Sequence, residues 1–158
     1  MRIRTIIFLL IVLGSSTSIA QTFDLNTKKV AVGDIYNPKS KILFELASYA
    51  INPDSYEKLD SIAKFLIEHN NLIVEVGTHT DSRISKASSC RLDQKRSETI
   101  VEYLIKKGVR ANCLIAKGCG DSALLIGEDK ISKMKTKKEK EKAHAINRRT
   151  EFKIIAIQ

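Results

Sequence analysis

The sequence has one apolar run and no second. That run, Thr5 to Leu13, follows Arg2 and Arg4 and precedes Ser18-Ile19-Ala20. A basic start, a short apolar core and a small-residue cleavage site predict a secretory signal peptide of bacterial style over residues 1–20. A membrane anchor is the competing reading. The run is only about half of the ~20 residues that a spanning helix needs. Gln21, not Cys, follows the expected cut, so no lipid-modified cysteine is expected. Cysteine is scarce and odd in number: Cys90, Cys113 and Cys119. Their spacing does not suit zinc, and His69, His79 and His144 are scattered, so neither metal nor cofactor is expected. No nucleophile stands in a pattern with a base, and no second carboxylate clearly joins Asp81, which argues against an enzyme. No internal repeat is visible.

Basic residues are in excess. Without Arg2 and Arg4, 25 of the 27 basic residues remain against 18 acidic ones, a charge of about +7. Such a balance suggests an anionic partner or surface, and it equally serves solubility alone. Seven lysines crowd into Lys130 to Lys142, with Glu139 and Glu141 between them. That stretch lacks aromatic residues and has almost no apolar face. It reads as a solvated loop or loose helix, and it argues against a nucleic-acid partner.

The remaining segments alternate between strand and helix signals. Val30 to Tyr36 offers a short edge strand, and Ile42 to Leu46 a first core strand. Asn52-Pro53-Asp54 opens a helix whose apolar face is Leu59, Ile62, Ala63 and Leu66, flanked by Tyr56 and Phe65. Its end is expected near His69-Asn70-Asn71, with Asn in a left-handed cap. Leu72 to Thr78 is apolar at nearly every position and predicts a strand near the sheet centre. With the strand and helix before it, it predicts a βαβ unit with a right-handed crossover. A turn from Asp81 to Ser89 leads into a second helix ending at Lys107 and Gly108. Cys113 to Lys117 and Thr150 to Ile157 predict two more strands.

Within this order one pair stands out. Asp81 follows a strand end. Arg96 sits four residues after Leu92 and four before Ile100, on the inward face of the second helix. Ligands of βα units sit beyond the carboxyl ends of the strands. An acid and an arginine facing one cleft there suit a zwitterion, the guanidinium binding a carboxylate by two parallel hydrogen bonds. Equally, Asp81 and Arg96 can simply pair with each other.

The succession ILFEL, Asn52-Pro53, IVEVGTHTDSR, LDQKR, GCGDS and NRRTEF resembles the OmpA C-terminal-like family, the peptidoglycan-associating module of Gram-negative envelopes. The sharpest pieces are Thr80-Asp81 with Arg96 fifteen positions later, and Asn147-Arg148-Arg149-Thr150-Glu151. The resemblance divides the chain into a signal peptide (1–20), an N-terminal segment (21–41) and the family domain (42–158). It implies an α+β fold, a βαβαβ-type two-layer sandwich with a mixed four-stranded sheet and helices on one face. It implies non-covalent, non-enzymatic binding of peptidoglycan through the diaminopimelate of its stem peptide. Asp81 and Arg96 would clamp the amino and carboxylate groups, with Thr80, Ser89, Leu92 and Arg148 around them. Asn147 and Arg149 are expected to brace the last strand. The implied setting is the periplasm, in association with the outer membrane or cell wall. The implied partners are peptidoglycan and an outer-membrane or envelope protein, with no transmembrane segment in the mature chain.

Three positions depart from the family pattern. Ser89 stands where Asn is usual, Asp93 where Ser is usual, and the Arg83-Ile84 region replaces a glycine. The cysteines add an expectation of their own. With parallel second and third strands, Cys90 and Cys119 fall at one sheet edge and Cys113 at the other. A Cys90–Cys119 disulfide is therefore expected, against a bland reading of three thiols. Two other functions remain in view. One is an enzyme acting on the cell wall with Asp81 or His79 as general base. The other is unspecific binding of anionic surfaces through residues 130–142.

Overall fold

A computed structural model describes residues 21–27, 29–38, 41–83, 86–118 and 123–158. The expected signal peptide lies outside these residues, as does Cys119. The elements in chain order are β1 (Ile35–Tyr36), α1 (Tyr56–Glu68), β2 (Leu72–His79), α2 (Lys86–Lys106), β3 (Leu114–Gly118), α3 (Glu128–Ser132), α4 (Lys137–Asn147) and β4 (Arg149–Ile157). The sheet order is β1-β4-β2-β3. β2 pairs in parallel with β3 and antiparallel with β4, which pairs antiparallel with β1. This is the expected α+β fold with a mixed four-stranded sheet. No helix among the described residues is long and apolar enough to cross a membrane.

Alternation along the strands sets the layers. On β2, Leu72, Val74 and Val76 are buried, while Ile73 and Glu75 between them are half-buried. β4 buries Phe152 and Ile154 and exposes Lys153. One face is thus committed to the core and the other is partly solvated, as in a two-layer fold. The core completes itself from the helices: Leu59, Ile62, Ala63 and Leu66 of α1, with Ile100 and Leu104 of α2.

Local signals explain the helix ends. Asn52 accepts from the Asp54 backbone N–H at 3.0 Å, and Pro53 opens a single 3₁₀ turn that runs into α1. Gly108 ends α2 with φ +102°, a conformation that side chains resist. The C-cap of α1 is His69 at φ −109°, so the expected left-handed Asn is not used. The last-turn carbonyl of Phe65 is bonded instead by the His69 backbone N–H and approached by its ring nitrogen, each at 2.9 Å.

Three expectations need correction. Ile42 to Leu46 is not a core strand. It makes one isolated bridge, Phe44 to Ile51, across a turn with Ala47 at φ +52°. Ile42 is buried in the core and Phe44 packs against it, but Leu43 is exposed and Leu46 is 98% exposed, so the run joins the core only at its start. The sheet strand before α1 is β1, and β4 lies between β1 and β2, so the first βαβ unit is split. Of the two readings of the lysine-rich stretch, loop or helix, the structure takes the helix over most of it. Thr136 and Glu139 form a reciprocal capping box at the start of α4. Few but well-placed residues, Ile131, Ala143, His144 and Asn147, anchor α3 and α4 while the lysines stay in solvent. Cys90 and Cys113 are free thiols. The expected Cys90–Cys119 bridge is therefore not formed at its Cys90 end, and Cys119 lies outside the described residues.

Helix α2 approaches the end of β3 closely at Gly118, where an added Cβ would overlap the Gln94 backbone. Gly118→Ala is expected to destabilise the fold by about 1–3 kcal/mol through overpacking. Urea unfolding monitored by circular dichroism checks this, and an unchanged midpoint would show that α2 shifts at no cost.

Candidate functional site

The parallel strands β2 and β3 end together beside the first turns of α2. A polar seam holds them. The Thr78 hydroxyl donates to the Asp93 carbonyl at 2.6 Å, and the Ser97 hydroxyl donates to the Lys117 carbonyl at 3.0 Å. The Gly118 N–H donates to Gln94 Oε1 at 2.7 Å. Asp93 and Arg96, one turn apart on α2, are thereby held against the strand ends. They open onto a cleft of about 240 Å³ whose wall includes Phe44, Thr78, His79, Asp93, Arg96 and Arg148.

Arg96 is half-buried. Its Nε donates to the Ser48 carbonyl at 3.0 Å, and its guanidinium carbon lies 4.8 Å from the Phe44 ring centre. Nη1 stands 3.9 Å from Asp93 Oδ1, which is attraction without a hydrogen bond. The plane of the guanidinium is thus oriented by a ring and a carbonyl, while its outer nitrogens make no hydrogen bond among the described residues. Burial pulls the Arg96 pKa down, and Asp93 opposes this.

Asp81 does not meet Arg96. Its buried carboxylate accepts from the Arg83 N–H and Nε, each at 3.1 Å, and from Arg83 Nη2 at 2.6 Å. Arg148 Nη1 adds a further bond at 2.6 Å. Glu141 then bridges the two arginines, at 2.8 Å to Arg83 and 2.9 Å to Arg148. Burial raises the Asp81 pKa, but hydrogen bonds from Arg83 and Arg148 outweigh it and hold the carboxyl far below the usual range.

The other expected site residues sit deeper. Thr80 and Ser89 are buried and Leu92 is half-buried, and none of the three forms part of the cleft wall. Arg148 does line it. Asn147 and Arg149 brace the scaffold, as expected. Asn147 exchanges two hydrogen bonds with the Ile126 backbone. Arg149 binds Glu151 at 2.6 Å and the carbonyls of Asn147 and Ala123. A larger hollow of about 570 Å³ adjoins the cleft, but its cations are already engaged, Arg149 as above and Lys41 on the Ala145 carbonyl.

Sequence reasoning missed Arg83 as the partner of Asp81 and Asp93 as part of the cleft. Spacing offered a signal for both. Arg83 is two residues past Asp81 in a turn, and Asp93 is one helical turn before Arg96.

The OmpA family model matches residues 43–144, and the chain belongs to the OmpA family. Outer membrane protein A of Serratia odorifera is 26% identical over 146 residues, 91% of this chain and 60% of that protein. Outer membrane porin F of Pseudomonas fluorescens is 26% identical over 125 residues, 79% of this chain but 35% of the porin. The peptidoglycan-associated lipoprotein of Buchnera aphidicola is 29% identical over 100 residues, 63% of this chain and 54% of the lipoprotein. The chain thus spans between about a third and three-fifths of these relatives' lengths. The crystal structure of the peptidoglycan-associated lipoprotein of Burkholderia pseudomallei shares the fold, with TM-score 0.58 and 24% identity, covering 73% of this chain and 89% of that one. The cell wall anchor of the T6SS from Pseudomonas aeruginosa does so too, with TM-score 0.58 and 21% identity over 77% and 79% of the two chains.

Behind the cleft, Glu151 lies 3.3 Å from His79 and 2.6 Å from Arg149. The His79 bond, then Arg149, hold its carboxyl down at about 2 against the opposing effect of burial. A carboxyl depressed on folding stabilises the fold above its ordinary pKa. That contribution is lost as pH falls through the folded value. Stability should therefore fall on the order of 2 kcal/mol between about pH 4.5 and pH 2 on account of Glu151. Glu151→Gln should be less stable at neutral pH and lose less on acidification. Denaturant midpoints at pH 7 and pH 3 check the sign, and equal acid losses in both proteins would contradict it.

Proposed function

We propose that this chain is an exported, non-enzymatic module that binds peptidoglycan non-covalently through the diaminopimelate of its stem peptide. The observation that carries the reading is Arg96. A half-buried guanidinium in the cleft wall, fixed by a ring and a carbonyl and with its outer nitrogens unbonded, is prepared for a carboxylate. Family membership supports the reading, as do the names of two relatives, a peptidoglycan-associated lipoprotein and a cell wall anchor. The carboxylate of diaminopimelate goes to Arg96. Asp81 fixes Arg148 at the cleft wall, with Thr80, Ser89 and Leu92 supporting that end of α2. A signal peptide at 1–20 delivers the chain to the periplasm, where it docks on the wall beside the outer membrane. Catalysis is not part of this reading, because Asp81 held ionised by two arginines is a weak base.

The test is co-sedimentation with purified sacculi of the diaminopimelate type. Arg96→Ala should weaken retention about tenfold or more, the scale of a lost charge-assisted pair. Asp81→Ala should also weaken it by releasing Arg148. Retention of both variants at the wild-type level would overturn the reading. Loss of retention only on deleting residues 130–142, with steep salt dependence, would transfer the function to the lysine-rich surface.

A further inference from the structure

We infer that Asp93 is the acid that receives the ligand's ammonium group, beside Arg96 on the ligand's carboxylate. The inference rests on the diaminopimelate reading above and assigns the second of its two contacts.

An amino-acid head carries its two charges on one carbon. Its receptor needs a donor and an acceptor side by side. Arg96 and Asp93 share a face of α2, with Nη1 and Oδ1 3.9 Å apart. That gap leaves each free to take a partner without first breaking a hydrogen bond between them.

Asp93 is fully buried yet belongs to the cleft wall. Its Oδ2 accepts from the Thr80 N–H at 2.8 Å. Its Oδ1, on the Arg96 side, has no hydrogen bond among the described residues. A buried acceptor without a donor is a standing cost to the free protein, and a ligand that supplies the donor removes it. Burial raises the Asp93 carboxyl above its ordinary range, with the Thr80 backbone N–H, Arg96, the nearby Thr80 hydroxyl and His79 opposing. An arriving ammonium favours the ionised form.

Asp81 is the alternative acceptor, and the geometry disfavours it. Both of its oxygens already hold arginine donors. An ammonium there must displace a guanidinium, whereas Asp93 Oδ1 has no hydrogen bond to break. The family pattern has serine at this site, so the second acid is a property of this chain.

The experiment is calorimetric titration of the mature chain with two probes. One is an N-terminally acetylated stem tripeptide ending in meso-diaminopimelate, and the other is the same peptide acetylated also on the free diaminopimelate amine. Wild type should bind the free amine about tenfold more tightly or better. Asp93→Asn, which keeps an acceptor for the Thr80 N–H, should lose that preference. Asp81→Asn should weaken both probes but keep the difference. An Asp93→Asn protein that still prefers the free amine overturns the inference, as does wild type binding both probes equally. Wild type binding neither probe overturns the diaminopimelate reading along with it. Should Asp93→Asn not fold, the wild-type Asp93 carboxyl ¹³C resonance decides. It should shift with the free-amine probe and not with the acetylated one, and a resonance unmoved by either overturns the inference.

Discussion

The docking of α2 against the carboxyl ends of β2 and β3 is the constraint on which the rest depends. Thr78, Ser97, Gln94 and the Asp93 carbonyl tie the helix to both strands through buried or half-buried hydrogen bonds. Gly118 lets the backbones approach closely. The apolar core beneath, with Leu104, Ile100 and Val76 fully buried, supplies the driving force. The polar seam sets the position along the helix axis, because each buried donor must find its acceptor. A helix slipped by one residue would leave these groups unsatisfied and turn Arg96 away from the cleft.

The same seam creates an electrostatic division of labour. Asp81 lies on one side, neutralised by Arg83 and Arg148 and tied through them to Glu141 on α4. Asp93 and Arg96 lie on the other, loosely apposed in the cleft wall, Asp93 buried and Arg96 half-buried. Only Asp81 is buried in the first cluster, and removing its arginine partners is costly because its charge stays desolvated. The first cluster therefore joins the turn after β2 to the segment between α4 and β4. The second is under-satisfied, and under-satisfied buried polar groups are where ligand energy can be gained.

Much of this was legible in the chain. The period of Leu59, Ile62, Ala63 and Leu66 shows α1, and the dense apolar run from Leu72 marks the central strand. Asn52 and Gly108 mark helix ends, and the Asn147–Glu151 motif marks the brace of β4. What was not legible depends on distant partners. Ile42 to Leu46 is as apolar as a strand, but β4 pairs with β1 instead, and no local pattern says so. The lysine-rich stretch hides its helix because the anchors are few. Thr136 and Glu139 were the readable signal there. Asp81 and Arg96 stood out as a pair because both are unusual in their positions. Their separation follows from Arg83, which lies two residues past Asp81 in the turn and folds back onto it.

The central claim is that Arg96 binds the ligand's carboxylate within a cleft floored by the end of β2. The most direct measurement is a ¹⁵N titration of the mature chain with meso-diaminopimelate that follows the Arg96 Nε–H and the Thr80 amide. The account predicts saturable shifts of both, because Arg96 takes the carboxylate and the Thr80 N–H is bonded to Asp93. An unmoved Arg96 resonance, or shifts confined to residues 130–142, would contradict it.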